Sequence, residues 1–380
     1  MKKVIEIIPI ILLVIAMILL IAVRRYPKNY YIMYIIVIVL MTMTYLSVVV
    51  MTKINNNRIK AKSTRHLNNI DTANIEYDFE RIYNILYSNF GCELEELRRK
   101  IVLEERKPIY ILLIAIAICI ILAIANDFIG VMSLLLISTI VILISAVIAM
   151  PANDKRRAKY NKDYIEKVIY NFISLIDNNL HYNDNIELDT VFAEIEYNKA
   201  AFDNIQYDNF IVSDQISGML DGKNKIKIWD LIVQSNIETG NKYIDIFKGI
   251  FTSIECDNTI SGTVKIKPKQ IWNKENKINL DHNVFEKEFD VYSTDSVLTM
   301  RILTHDVMEM ILEFKNKLNL EFEIVFHKNK VYIRVFLPSM FEPKITEKTM
   351  EKTKLYAEYV VFKFILNMSK KINEVQKVIE

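Results

Sequence analysis

Histidine is the side chain best suited to move a proton or ligate a metal near neutral pH. The chain has five, His66, His181, His282, His305 and His327. No two lie four positions apart, and there is no HExxH run. Zinc-type hydrolytic chemistry would therefore need ligands that the fold alone brings together. His305, beside Asp306 and near the start of a predicted helix, is the best placed general base; its alternative is an exposed helix residue. His327 is expected in an exposed hairpin turn. Asp290, Asp295 and Asp306 lie close in sequence, a set suited to hard cations but without EF-hand spacing. Asp295 precedes Ser296-Val297 and reads as a helix N-cap. Seven glycines occur, with no GxGxxG, no GxxxxGK[ST] and no GxSxG among them, which excludes the corresponding phosphate loops and the nucleophile elbow. No catalytic, cofactor-binding or metal residue is assigned, and no cofactor is expected.

Redox and electrostatic classes narrow in the same way. Cys92, Cys119 and Cys256 show no CxxC spacing, against a disulfide framework or a zinc cluster. The net charge is +2, from 48 basic and 46 acidic residues. That balance offers no basic face for nucleic acid.

The elements that would position such residues lie mostly in the second half. A helix is expected through Tyr164, Ile165, Val168, Ile169, Phe172 and Ile176. From about residue 183 the pattern turns to strands. Asp221-Gly222 marks a hairpin turn between Gln215–Leu220 and Lys225–Val233. Tyr243–Ile254, Thr259–Ile266 and Phe285–Tyr292 read as further strands, and Trp229 and Trp272 as core or edge fillers. Leu303, Val307, Met310, Phe314 and Leu318 mark one helix face. Leu320–Phe326 and Val331–Phe336 follow as a second hairpin turning at His327–Lys330. A last helix runs from about Lys352 to Val378. Strands beside strands with segregated helices indicate an α+β domain with a mainly antiparallel sheet.

The first half reads differently. Hydrophobic residues make up 52% of the chain and charged ones 25%, with a mean hydropathy of +0.16, so the two classes must be segregated. Four apolar stretches, Val4–Val23, Tyr31–Met51, Ile109–Ala125 and Phe128–Met150, are long enough to read as membrane spans in two hairpins. Residues 53–107 carry eleven Lys or Arg and contain two helical stretches, separated at Asn89-Phe90-Gly91. The positive-inside rule then places this segment, both termini and the C-terminal domain in the cytoplasm, although Arg24, Arg25 and Lys28 fall on the outer side against it. Lys155, Arg156, Arg157 and Lys159, just after the fourth stretch, are expected at the membrane surface near anionic head groups. The expected organisation is a first transmembrane hairpin at 1–52, a helical hairpin at 53–107 and a second transmembrane hairpin at 108–151. A juxtamembrane helix at 152–182, the α+β domain at 183–346 and a C-terminal helix at 347–380 complete it.

Short runs in the strand-rich region resemble a known family. Asp214-Gln215-Ile216-Ser217-Gly218, Ile246-Phe247-Lys248-Gly249-Ile250-Phe251 and Phe289-Asp290-Val291-Tyr292-Ser293-Thr294-Asp295 occur in order, followed by Arg301-Ile302-Leu303-Thr304, Met308 and Phe341-Glu342-Pro343. Together they resemble the bacterial family called domain of unknown function 3137, over about Tyr164 to Pro343. Asp230 stands where that family usually has Glu, and His305 where Pro is common. The resemblance implies a membrane-anchored cytoplasmic domain and brings no assigned catalytic residues.

The expected function is thus a cell-membrane protein presenting a cytoplasmic binding, scaffold or sensor module. Its partners would be the lipid bilayer, another membrane protein or anionic lipid head groups, and not nucleic acid. The alternative is an enzyme at the membrane surface using an unrecognised acid–base pair around His305. A transporter has less support, because no ionisable group falls at the middle of an apolar stretch.

Overall fold

The computed structural model describes residues 75–104, 155–183, 185–186, 188–197, 207–220, 223–237, 242–269, 277–337, 340–343, 345 and 348–379. All of them belong to one compact unit, drawn from residues 66–105 and 151–380. The four apolar stretches expected to span a membrane lie outside the described residues. Among the described residues no helix is long and apolar enough to cross a membrane. The four-span architecture, and the multi-pass description built on it, is therefore corrected to an antiparallel-sheet domain with helices. Among the described residues the 28-residue helix Lys352–Ile379 has the length for a span. Lys352, Lys354, Glu358, Lys363, Lys370, Lys371 and Glu374 interrupt it, and Leu355, Val361, Phe362, Ile365, Met368 and Ile372 are buried against protein.

Among the described residues two helices come first. α1 covers residues 77–104 as Tyr77–Leu86, a π-helical turn Tyr87–Gly91 and an α-helical run 92–104. Asn89-Phe90-Gly91 thus does not break the chain into two helices. A Cβ on Gly91 would lie 2.8 Å from the Tyr87 ring, so its bare backbone makes room for that side chain and the helix widens rather than ends. Phe79, Ile82, Leu86, Leu94 and Ile101 form its buried stripe. α2 covers 155–176 and also contains a π-helical turn, Ile165–Ile169. Tyr160, Tyr164, Val168, Ile169, Phe172 and Ile173 are its buried face.

The sheet follows. β1 is Leu180–Asn183, β2 Asn209–Leu220, β3 Asn224–Ile237, β4 Lys242–Pro268, β5 Lys277–Ile278, β6 Phe289–Ser293 and β7 Phe322–Val335. Every described pairing is antiparallel. β2 and β3 form the expected hairpin, in register Leu220↔Asn224. Phe285–Tyr292, expected as a strand, divides into helix α4 (Asn283–Glu288) and β6, with the His282 side chain capping α4.

β7 is not straight. The Phe336 amide donates to the Glu321 carbonyl at 2.9 Å, and Arg334 ion-pairs with Glu323. A straight 14-residue strand would hold its ends about 45 Å apart, so the segment folds back on itself. Lys328, at φ 53°, sits at the bend, which makes this the second expected hairpin. Its two arms pair with different parts of β4: Lys330–Val335 with Ile250–Glu255, and Ile324–His327 with Thr263–Ile266. β4 must therefore also reverse, wrapping around the tip of β7. The first part of β4 pairs with β3 on its other edge and the last part with β6.

Both sheet faces are covered. On one face α1, α2, α5 (Ser296–Ile302), α6 (His305–Leu318) and α7 (Lys352–Ile379) join the main core. Within it the Phe314 and Phe364 rings stack at 4.1 Å. On the other face α3 (Leu188–Tyr197) lays Val191 and Ile195 on Trp229, Leu231, Phe251 and Tyr332. Trp229 is thus a core residue, with its indole N–H on Gln215 at 3.2 Å.

Candidate functional site

Antiparallel register places Asp214 of β2 directly opposite Asp230 of β3. Like charges opposed in this way destabilise a sheet. Alternation along the strands puts both on the same face as Ile216 and Ile228, which belong to the helix-covered core, and each aspartate is only 5% exposed. A third carboxyl arrives from α7, where Glu358 is 1% exposed. β1 supplies Tyr182, whose hydroxyl donates to Asp214.

The chain after β7 crosses this cluster and is tied to it by backbone amides. The Met340 N–H donates to Asp230 Oδ2 at 2.8 Å, and the Phe341 N–H to Glu358 Oε1 at 3.2 Å. Glu342 follows, and its carbonyl accepts from Lys354 Nζ at 2.6 Å. The same ammonium lies 3.8 Å from Glu358. Phe341 is left-handed, at φ 59°, a costly conformation for a bulky side chain. Its ring meets Tyr182 at 6.4 Å and Phe362 at 6.0 Å, so packing and the two carboxyl–amide bonds together hold the strained backbone.

Three buried carboxyls, Asp214, Asp230 and Glu358, with few cations beside them and the exposed Glu342 nearby, cannot all ionise freely. Burial pushes Asp230 up to about 7, and the neighbouring Asp214 and Glu342 charges push the same way against the Met340 amide and Lys248. Asp214 is raised by burial and by Glu342, against Tyr182 and Lys354. Glu358 is raised by burial and by Asp214, against Lys354 and the Phe341 amide. Glu358 Oε2 is buried with no hydrogen-bond partner among the described residues. An ionised oxygen would pay heavily there, which agrees with a carboxyl that keeps its proton. Asp230 can thus exchange its proton near neutrality, and its ionisation adds repulsion beneath Met340–Pro343.

Two glycines of the motifs quoted from the sequence fix the backbone around the cluster. A Cβ on Gly249, at φ 155°, would stand 2.0 Å from the Val335 carbonyl oxygen and 2.8 Å from the Leu337 nitrogen. A Cβ on Gly218 would meet the Asn179 carbonyl at 2.2 Å. Both are sites of close backbone approach that no side chain fits.

The residues singled out from sequence are scattered by comparison. Asp295 caps α5, accepting from the Leu298 N–H at 2.9 Å. Asp290 is fully buried and ion-paired to Lys277 at 2.7 Å and Lys269 at 3.4 Å. Asp306 is exposed and lies 3.5 Å from Lys371. The three do not converge. His305 is exposed at the start of α6 and stacks on His282 at 5.3 Å. His327 is half-buried at the β7 bend, 2.7 Å from Thr263 Oγ1. Lys155, Arg156, Arg157 and Lys159 are all exposed in the first turns of α2, with Arg156 3.4 Å from Glu104. Sequence reasoning missed Tyr182 and Glu358. For Glu358 a signal was available: it is the lone charge in Leu355-Tyr356-Ala357-Glu358-Tyr359-Val360-Val361, an unusual place for an unpartnered carboxylate.

Residues 245–374 match the family model described as "Protein of unknown function (DUF3137)". Over that stretch the chain is similar to the family. Gly249, Phe341-Glu342-Pro343 and Glu358 fall within the matched DUF3137 stretch, whereas Tyr182, Asp214 and Asp230 precede it. No curated protein matches the sequence. Among solved structures, the chain is similar to the mycobacterial trehalose monomycolate transport factor A, TtfA, at 9% identity. That match covers 57% of this chain and 94% of the other with a TM-score of 0.34, an overlap too slight to assign fold or activity.

Proposed function

We propose that the α+β domain of this chain is a sensor module, in which protonation of the Asp214–Asp230–Glu358 cluster governs whether Met340–Pro343 stays seated. The observation that carries it is the pair of carboxyl groups, Asp230 and Glu358, gripping the amides of two consecutive residues of one strained segment. Neutral carboxyls can accept those N–H groups without mutual repulsion. As pH rises, charge accumulates on groups that face one another and Glu342, with Lys248 and Lys354 as the cations set against them. The segment then lifts and offers Phe341 to a partner.

Hydrogen exchange on the full chain tests this. The Met340 and Phe341 amides should exchange faster at pH 8 than at pH 6 after correction for intrinsic exchange. In an Asp230→Asn, Glu358→Gln double variant the corrected rates should not differ. Equal protection at both pH values in the parent protein would refute the reading.

A further inference from the structure

Away from the carboxylate cluster, the fold gathers three groups with metal-ligating chemistry. His305 and Glu309 are four residues apart in the first turns of α6, so both project from one face. His282, the N-cap of α4, is brought against them from a different part of the chain. One ligand atom from each of the three lies within 4.8 Å of the others. His282 Nε2 is 3.0 Å from Glu309 Oε1, and the His282 and His305 rings stack at 5.3 Å.

We propose that His282, His305 and Glu309 form a zinc site with an open fourth position. Two imidazoles and a carboxylate are a ligand set that zinc takes in open sites, with bonds of about 2.0–2.2 Å. Ligand atoms on a tetrahedral zinc then stand about 3.4 Å apart. Glu309 and His282 are already closer than that, and His305 and Glu309 are exposed side chains that can swing the remaining distance. The His282 side chain is only 10% exposed, so one ligand is held firmly while the other two adjust to it.

The capping bond gives the site a signature of its own. His282 Nδ1 accepts the Phe285 N–H at 3.2 Å. In the metal-free state its proton therefore sits on Nε2 and is donated to Glu309. Coordination through Nε2 requires that proton to leave Nε2 and the neutral ring to carry one on Nδ1 instead. The Phe285 cap is then given up as the zinc bond forms. Zinc binding should thus loosen the first turn of α4 while pinning the first turn of α6.

The test is calorimetric titration of Zn2+ into tag-free full chain carrying Cys92→Ser, which removes an exposed thiol. One zinc per chain is expected, bound at least about tenfold more weakly by His305→Ala and by Glu309→Gln. Both replaced side chains are solvent-exposed, so the variants should keep the parent's circular dichroism and melting temperature. The Phe285 amide should exchange faster with zinc present in the parent and respond less in His305→Ala at the same zinc concentration. The proposal is overturned if the parent takes up no zinc, if the variants bind it as tightly as the parent, or if the Phe285 amide does not respond.

Discussion

Replacing Asp230 with Asn removes an ionisable group from the cluster and keeps an oxygen to accept the Met340 N–H. Burial and the facing carboxylates raise the folded-state pKa from 3.8 to about 7. A carboxyl whose folded pKa is raised binds its proton more tightly in the folded chain. Its stabilising contribution is therefore complete below pH 3.8 and is lost as pH climbs towards 7. Roughly three pH units at 1.36 kcal/mol each amount to about 4 kcal/mol at this site. Urea midpoints measured from pH 4.5 to pH 8 should fall for the parent protein, whereas Asp230→Asn should give a flatter profile. At pH 8 the variant should be the more stable of the two. If the two profiles run parallel, or if the variant is the weaker at pH 8, Asp230 is not held protonated by its surroundings and the account of the cluster fails.

Two further outcomes follow from the same structure. Glu95 has the opposite shift, held well below the usual carboxylate range by Arg98, with the Thr349 amide and Arg99 adding to it. Its contribution is present above pH 4.5 and lost on acidification. Glu95→Gln should cost about 1–2 kcal/mol at pH 7, with the gap to the parent closing as pH drops below 4, read from the same urea series. Gly249→Ala would force a Cβ to 2.0 Å from the Val335 carbonyl at a positive φ. It should destabilise by about 3 kcal/mol or more, seen as a lower melting temperature. A change within 0.5 kcal/mol would mean that β4 and the end of β7 are not in close approach there.

Much of the fold was legible because two signals, periodicity and turn chemistry, are local. The β2–β3 hairpin, the Val307–Leu318 helix face (Leu303 itself ends the preceding helix) and the Asp295 cap depend on residues within a few positions of one another. Phe285–Tyr292 misled because Phe285 and Phe289, four apart and both buried, satisfy a helical turn as readily as a strand. Asn89-Phe90-Gly91 misled because turn-forming residues were read without the Tyr87 ring that fills the space above Gly91. The carboxylate cluster was legible only in pieces. Asp214, Asp230 and Phe341-Glu342-Pro343 were all noticed in the sequence, but what unites them is sheet register and a helix that begins ten residues later. The His282–His305–Glu309 group was harder still, since a His–Glu pair at helical spacing is common and the third member arrives only through tertiary structure. The apolar stretches of the first half were read on length and hydropathy alone, and no helix among the described residues supports a span.

The path of β4 around the tip of β7 governs the order in which this domain can be completed. During synthesis the ribosome releases both flanks of the slot well before the piece that fills it. Until Phe322–Val335 emerges, two inward rims of unpaired amides and carbonyls face an open gap. A nascent or truncated chain ending before residue 336 would be prone to capture a foreign strand there, so the last hairpin acts as a keystone whose late arrival seals the sheet.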